Sequence, residues 1–451
     1  MTSSSTPHAP FLRLRPHLQP SPYGKPSGTS LASLFTLSTT QDPSITSGPS
    51  HITLPASQTY GELWLSDHPS GVSFVLPSNT PLSTLITDAP DLFLTHRVQA
   101  RFNEDGVLST HIPFIFKILS FDKPLPLQSH PPRDIVQQLR ARGVPGIVDK
   151  NHKPEVAISL SDTFSAFIGF RPLHDIKLLL EDVPEFDAVV ADDEVMNEFL
   201  RAPAEDVDAE VILRTVFTRV LAAEKTKVKE LCEALTRRVD DTGDEAFGEV
   251  GRREGLGKVW RRLWETSKGD VGVLAAVVFC NYVCLKKGEG VAVPAGCIHA
   301  YVEGDVVECM AWSDNMIAHG LQDPELNHSP ELLADTVTYN TPPPSKLMLE
   351  QVPFPRVSNH HTTFVKAPIE EFDLLKISLK DGEEEVLAEG IDGPSVFIIT
   401  KGQVLMEAES GGRVQKEELK TGQAVFVMPG RGWKMSGEGE TEVWGAFVEG
   451  K

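Results

Sequence analysis

Cysteine is scarce in this chain: Cys232, Cys280, Cys284, Cys297 and Cys309 among 451 residues, an odd set with no CxxC pair. That excludes a disulfide framework and fits a reduced, intracellular protein. Cys280 and Cys284 lie in an apolar stretch and read as small core hydrophobes. Long hydrophobic runs are missing too. The longest, Val271 to Leu285, falls short of the roughly 20 residues a membrane span needs. The opening stretch Met1 to Pro26 is rich in Ser and Pro and has no apolar signal region, so residues 1–26 read as a flexible arm and the compartment as the cytosol. Positive charge is also in short supply, 42 Lys and Arg against 63 Asp and Glu for a net −21. Such a balance argues against nucleic-acid and acidic-membrane partners, which require a basic footprint. It leaves room for a small anionic substrate held by a local cluster of Lys and His.

What is present has the texture of a globular chain of two or three domains, with 40% hydrophobic and 23% charged residues. From Ser30 to Lys123 short strands alternate with Pro, Gly and Ser turns, as in Val72 to Leu76 and Ile115 to Ser120. A short helix is expected over Arg133 to Arg142, followed by strands at Val156 to Leu160 and Ala166 to Phe170. Between Asp175 and Trp264 helix formers dominate. Val211, Leu213, Val216, Val220 and Leu221 share one helical face, continued by Val228, Leu231 and Leu235. Two to four inserted helices are expected by length. β texture resumes at Asn281, and Thr341-Pro-Pro-Pro-Ser345 marks a hinge before the C-terminal strands. The domain reading is therefore 27–174 and 269–340 as two parts of one β domain, 175–268 as the helical insertion, and 346–451 as a second β domain.

An internal repeat sharpens this. Leu285-Lys-Lys-Gly-Glu-Gly-Val-Ala-Val-Pro-Ala-Gly296 matches Leu419-Lys-Thr-Gly-Gln-Ala-Val-Phe-Val-Met-Pro-Gly430, allowing one extra residue before the proline. Each copy is a glycine turn, a β-branched strand and a second turn, which resembles the core hairpin of cupins, double-sheet jelly rolls. The fold class expected is mainly β with a helical insertion: two cupin-like jelly rolls plus an α-helical domain. Only the first copy places a histidine five residues after its proline, His299 against Lys434, so only the first barrel is expected to hold a metal.

Gln128 and His130 lie two apart on an extended segment and share a face. Asn151-His-Lys-Pro-Glu155 adds a carboxylate, and His299 a second imidazole. Gln128, His130, Glu155 and His299 together form a nitrogen and oxygen set that Zn²⁺ accepts with an open position for water. Spacing alone leaves open that all four are solvated loop residues.

Seven motifs in one order then carry a resemblance. They are Tyr60-Gly-Glu-Leu-Trp with His68-Pro-Ser-Gly71, Pro113-Phe-Ile-Phe-Lys117, Gln128-Ser-His-Pro131, Asn151-His-Lys-Pro-Glu155, Gly169-Phe-Arg-Pro172, His299-Ala-Tyr301 with Val307-Glu-Cys-Met-Ala311, and Ser313-Asp-Asn315. This set resembles type I mannose-6-phosphate isomerases over roughly Ser30 to Tyr339. The resemblance implies one zinc per chain on Gln128, His130, Glu155 and His299, in a monomer. It implies reversible conversion of mannose 6-phosphate and fructose 6-phosphate through a cis-enediol(ate), feeding GDP-mannose synthesis. Lys153, His152, Asp314 and Glu308 are the implied catalytic candidates, Glu308 alternatively supporting the ligand shell. Lys117, Tyr301 and His319 are expected at the substrate, and His68 either there or in a structural loop.

The pattern departs at one important place. The family places an arginine, then Ala-Gly-Leu, where this chain reads Ala318-His-Gly-Leu321, and Gln322-Asp-Pro324 replaces a Thr-Pro-Lys. Pro126 replaces a serine, and Tyr23-Gly-Lys25 a Trp-Gly-Lys. Three expectations follow: His319 substitutes for the lost charge, the protein isomerises a different sugar phosphate, or it is a catalytically impaired zinc-binding paralogue that senses sugar phosphate.

Overall fold

The computed structural model describes residues 9–40, 53–103, 106–190, 193–202 and 207–450. Its β residues form two large sheets. In the first, the order is Cys280–Leu285, Phe164–Phe170, His299–Ala311, Phe114–Phe121, His17–Pro26 and Thr59–Leu65, with short strands alongside. The 13-residue strand His299–Ala311 is its spine, pairing with Phe164–Phe170 near its start and with Phe114–Phe121 further along.

Period-two alternation decides which residues reach the site. On Phe114–Phe121, Phe114, Phe116 and Ile118 turn to one side, and on the spine Val307 and Cys309 do the same. There they meet Val396, Ile398, Phe426 and Trp444 of the C-terminal sheet in one shared core. Lys117 and Glu308, cross-strand partners in register, turn to the opposite side. The two sheets are thereby joined by apolar packing while polar groups converge within the first.

The sequence repeat lands on equivalent hairpins, Gly290–Val293 leading into His299–Ala311 and Ala424–Val427 leading into Trp433–Phe447. Residues 11–26 are not an arm. Phe11–Arg15 and His17–Pro26 are strands; the first lies between Ala424–Val427 and Phe74–Val75 in the second sheet, and Phe11 is fully buried in the apolar cluster with Phe397, Val425 and Val427. The beginning of the expected arm, residues 1–8, lies outside the described residues.

The helical insertion contains seven α-helices among the described residues, from Leu173–Asp182 to Leu256–Thr266, rather than two to four, and an eighth, Val271–Phe279, precedes the return to β structure. Breaks inside the periodic stretch divide it: Pro184 opens a new helix, and Gly243 and Gly255 take φ of 63° and 71°, a region β-carbons disfavour. Two side chains face opposite to expectation. Val211 is 64% exposed, one turn outside the buried face of Leu213, Val216, Val220 and Leu221. Cys284 is exposed because it sits on the outward side of Cys280–Leu285, whereas Cys280 is buried. No helix among the described residues is long and apolar enough to cross a membrane.

Arg171 fastens this insertion to the β domain. Fully buried, it donates to Glu254 at 2.7 Å and to the Val277 carbonyl at 3.0 Å. Removing one partner of a buried pair strands the other charge, at about 3–5 kcal/mol. Glu254→Ala is therefore expected to lower the thermal midpoint by several degrees in a calorimetric scan. A midpoint unchanged within one degree would mean Arg171 is satisfied without it.

Candidate metal centre

The register places Gln128 directly opposite His299, so both side chains emerge on one face, and His130 follows Gln128 at i+2. Glu155 opens the strand Glu155–Ser159, held between Val293 and Met310. His130, Glu155 and His299 are 1%, 2% and 0% exposed, with candidate ligand atoms all within 4.8 Å of one another.

Each imidazole is oriented from behind. His130 Nδ1 lies 2.8 Å from the Asn315 carbonyl, and His299 Nδ1 lies 3.0 Å from the Cys297 carbonyl. A carbonyl can only accept, so both Nδ1 atoms carry the proton and both Nε2 atoms present lone pairs. Those Nε2 atoms are buried without hydrogen-bond partners, and each stands 3.3 Å from a Glu155 oxygen. Two lone pairs and a carboxylate facing one point make a donor set that fits a divalent cation. Burial, reinforced by the charge of Lys153, lowers the His130 pKa to about 4, which keeps the ring in its neutral, ligating form.

Beside these residues lies a cavity of about 330 Å³. Gln128, Glu155, Lys117, Lys153, Glu308 and Asp314 all line it. Lys117 is engaged: its Nζ is 2.8 Å from Glu62, 3.9 Å from Glu308 and 3.7 Å from the centre of the Trp64 ring. Lys153, 7% exposed, makes no ion pair among the described residues and is the free cation of the cavity. Glu308 is 4% exposed, and burial plus the Glu155 charge raise its pKa to about 8 against the pull of Lys117 and Lys153.

Other candidates are turned elsewhere. His152 Nε2 bonds Glu371 of the C-terminal domain at 2.7 Å, where burial is outweighed by the histidine and Glu371 is held below its usual range. His319 Nδ1 bonds the His328 carbonyl at 2.6 Å, so its ring does not fill the place left by the family arginine. Tyr301 is buried behind the centre, its hydroxyl donating to Glu155 at 2.9 Å; it positions a carboxylate rather than lining the cavity. Glu308 does not serve the histidines, since main-chain carbonyls do. His68 is packed between Trp64 and Trp312 with Nε2 3.9 Å from Asp149, a loop role.

Three positioning residues went unread in the sequence. Glu62 anchors Lys117 and accepts from the Tyr23 hydroxyl. Asp149 accepts from the backbone of Asn151 and Asp314. Asn315 binds Asp149 through its amide and orients His130 through its carbonyl. Glu62 and Asn315 lie inside quoted motifs and Asp149 two residues before one, which was the available signal.

The family of the phosphomannose isomerase type I catalytic domain matches residues 11–173. A mannose-6-phosphate isomerase of Ogataea parapolymorpha is 34% identical over 384 residues, covering 84% of this chain and 86% of its own. One from Mus musculus is 31% identical over 349 residues, covering 76% and 78%. Among solved structures, the apo mannose 6-phosphate isomerase of Salmonella typhimurium has a TM-score of 0.74 at 23% identity, over 98% of this chain and 100% of that one. A mannose 6-phosphate isomerase bound with zinc and yttrium gives the same TM-score, identity and coverage. These likenesses agree with the two cupin-like jelly rolls and helical domain read from the sequence.

Proposed function

The chain belongs to the mannose-6-phosphate isomerase family, and from that premise we propose that it interconverts mannose 6-phosphate and fructose 6-phosphate at one Zn²⁺ held by Gln128, His130, Glu155 and His299. The observation that carries this reading is the pair of buried, unpartnered Nε2 atoms converging on Glu155 at the edge of a cavity that also holds Lys153.

Aldose and ketose differ by one proton moved between C2 and C1 and a second moved between the O2 and O1 oxygens of the open chain, with a cis-enediol(ate) between them. When bound, Zn²⁺ supplies Lewis-acid polarisation of substrate oxygens. The protein's own groups do the rest. Tyr301 and the carbonyls of Asn315 and Cys297 fix the ligand geometry. Lys153, free of carboxylates, meets the negative charge of the phosphate or of the enediolate. Glu308 and Asp314 face the cavity and carry the proton. Lys117, tied to Glu62 and Glu308, sets the charge around that transfer. The five cysteines are free thiols, which suits a reducing compartment such as the cytosol, where we place the protein as a monomer supplying GDP-mannose synthesis.

Ala318 gives the alternative its footing. It is fully buried and directly opposite Gln128, so an arginine there would emerge on the ligand face, and the neighbouring His319 is turned to the His328 carbonyl instead. Zinc content and fructose 6-phosphate formation, measured for wild type and Ala318→Arg, decide between the readings. An isomerase predicts wild-type turnover with a gain below about tenfold on substitution. A zinc-loaded wild type that is inert and gains about 10²-fold or more, the worth of one preorganised donor, would mark an impaired paralogue.

A further inference from the structure

Away from the metal centre, the helix Leu256–Thr266 lies over the strands Phe164–Phe170, Cys280–Leu285 and His299–Ala311, and a cavity of about 410 Å³ opens between them. That volume suits a small metabolite. Lys258, Arg261 and Glu265 recur along the helix at spacings that put them on one face, joined by the adjacent Arg262. Across from them, Ser165 and Glu303 are cross-strand partners beside a bulge in the spine strand, so both turn to the same side.

Two donors here are left without acceptors. Ser165 is 4% exposed and its Oγ has no hydrogen-bond partner; Arg262 Nε is also buried and unpartnered. The guanidinium is held in place by the Asp122 carbonyl and by Glu303 at 3.5 Å, which leaves Nε pinned rather than free to turn to water. Lys258 makes no ion pair among the described residues. Buried donors without acceptors are rare in folded chains, and two of them beside the exposed ammonium of Lys258 ask for an oxyanion. The net charge of −21 cannot draw an anion here, so the local cations must. Glu265 and Glu303, on the rim, are acceptors for hydroxyl groups.

We propose that this hollow is a second ligand site, separate from the metal centre, for a phosphomonoester of a polyhydroxylated small molecule, its phosphate on Ser165, Lys258 and Arg262. Because Glu303 shares the strand that begins with His299, an occupant rests against the back of the element that presents a metal ligand.

The test is calorimetric titration of the zinc-loaded full chain with inorganic phosphate. In a Lys153→Met background, which removes the free cation of the first site, one phosphate is expected still to bind. Adding Lys258→Glu should weaken that binding at least tenfold, and adding Ser165→Ala, a change too small to disturb folding, about fivefold. Lys258→Glu alone should leave isomerase turnover in phosphate-free buffer within twofold. Loss of all phosphate binding on Lys153→Met would overturn the proposal, as would binding indifferent to both Lys258→Glu and Ser165→Ala. The isomerase reading survives either failure, since it stands on turnover and zinc content.

Discussion

His299→Ala protein is expected to carry less than about a tenth of a zinc per chain and to lose at least about 10³-fold in isomerase turnover, more than a single electrostatic donor is worth. The reason is geometric. His299 is completely buried, its Nδ1 proton is committed to the Cys297 carbonyl, and its Nε2 has nothing to bond except a cation shared with Glu155 and His130. Alanine leaves three ligands, Gln128, His130 and Glu155, with a carboxylate that then has only one imidazole facing it. Elemental analysis of the purified protein beside a coupled fructose 6-phosphate assay reads both quantities. Tyr301→Phe provides the graded comparison. It removes one hydrogen bond to Glu155 and no ligand, so metal affinity should fall only about 10–100-fold, as for other groups that orient ligands. Stoichiometric zinc in His299→Ala would place the metal somewhere other than on these residues.

Glu308→Gln is expected to lower kcat by about 10²–10⁴-fold, the usual worth of a general acid–base group, with zinc content unchanged. The amide preserves size and burial but cannot give up or accept the proton. Glu308 stands in register with Lys117 on the facing strand and 3.9 Å from its Nζ, inside the cavity and off the ligand set. Burial raises it to about 8, so without metal it is mostly protonated at neutral pH; a bound cation nearby favours the charged form and draws that value down. The limb of the pH–rate profile that belongs to this carboxyl, at or below about pH 8, should vanish in the glutamine variant. If zinc disappears together with activity, Glu308 supports the metal and Asp314 is left as the proton carrier.

Motif order and local periodicity make much of this molecule readable. Gln128 and His130 share a face by strand periodicity alone, the repeat marks the two equivalent hairpins, and the residue five after each proline, His299 against Lys434, tells the metal-bearing barrel from the other. Direction is harder to read than position. His152 and His319 lie inside or beside the right motifs, yet one is drawn off by Glu371 and the other by the His328 carbonyl, partners distant in sequence or specified only by a loop's path. The acceptors behind His130 and His299 are main-chain carbonyls, which leave no trace in residue identity. Cys284 and Val211 fail for a related reason: apolar character gives a residue a preference for burial, and the register of its strand or helix decides whether burial is available.

The pairing of Phe11–Arg15 with Ala424–Val427 has a consequence for how the molecule is made. The ribosome releases Phe11 long before Val427 exists. At ordinary elongation rates, on the order of 5–20 residues per second, the wait lasts on the order of tens of seconds. Through that interval Phe74–Val75 can already cover one edge of the strand, while the edge that Ala424–Val427 takes has no native partner in the nascent chain. The last sheet closes only after nearly the whole polypeptide has been translated, so newly made protein depends during synthesis on being shielded from premature association.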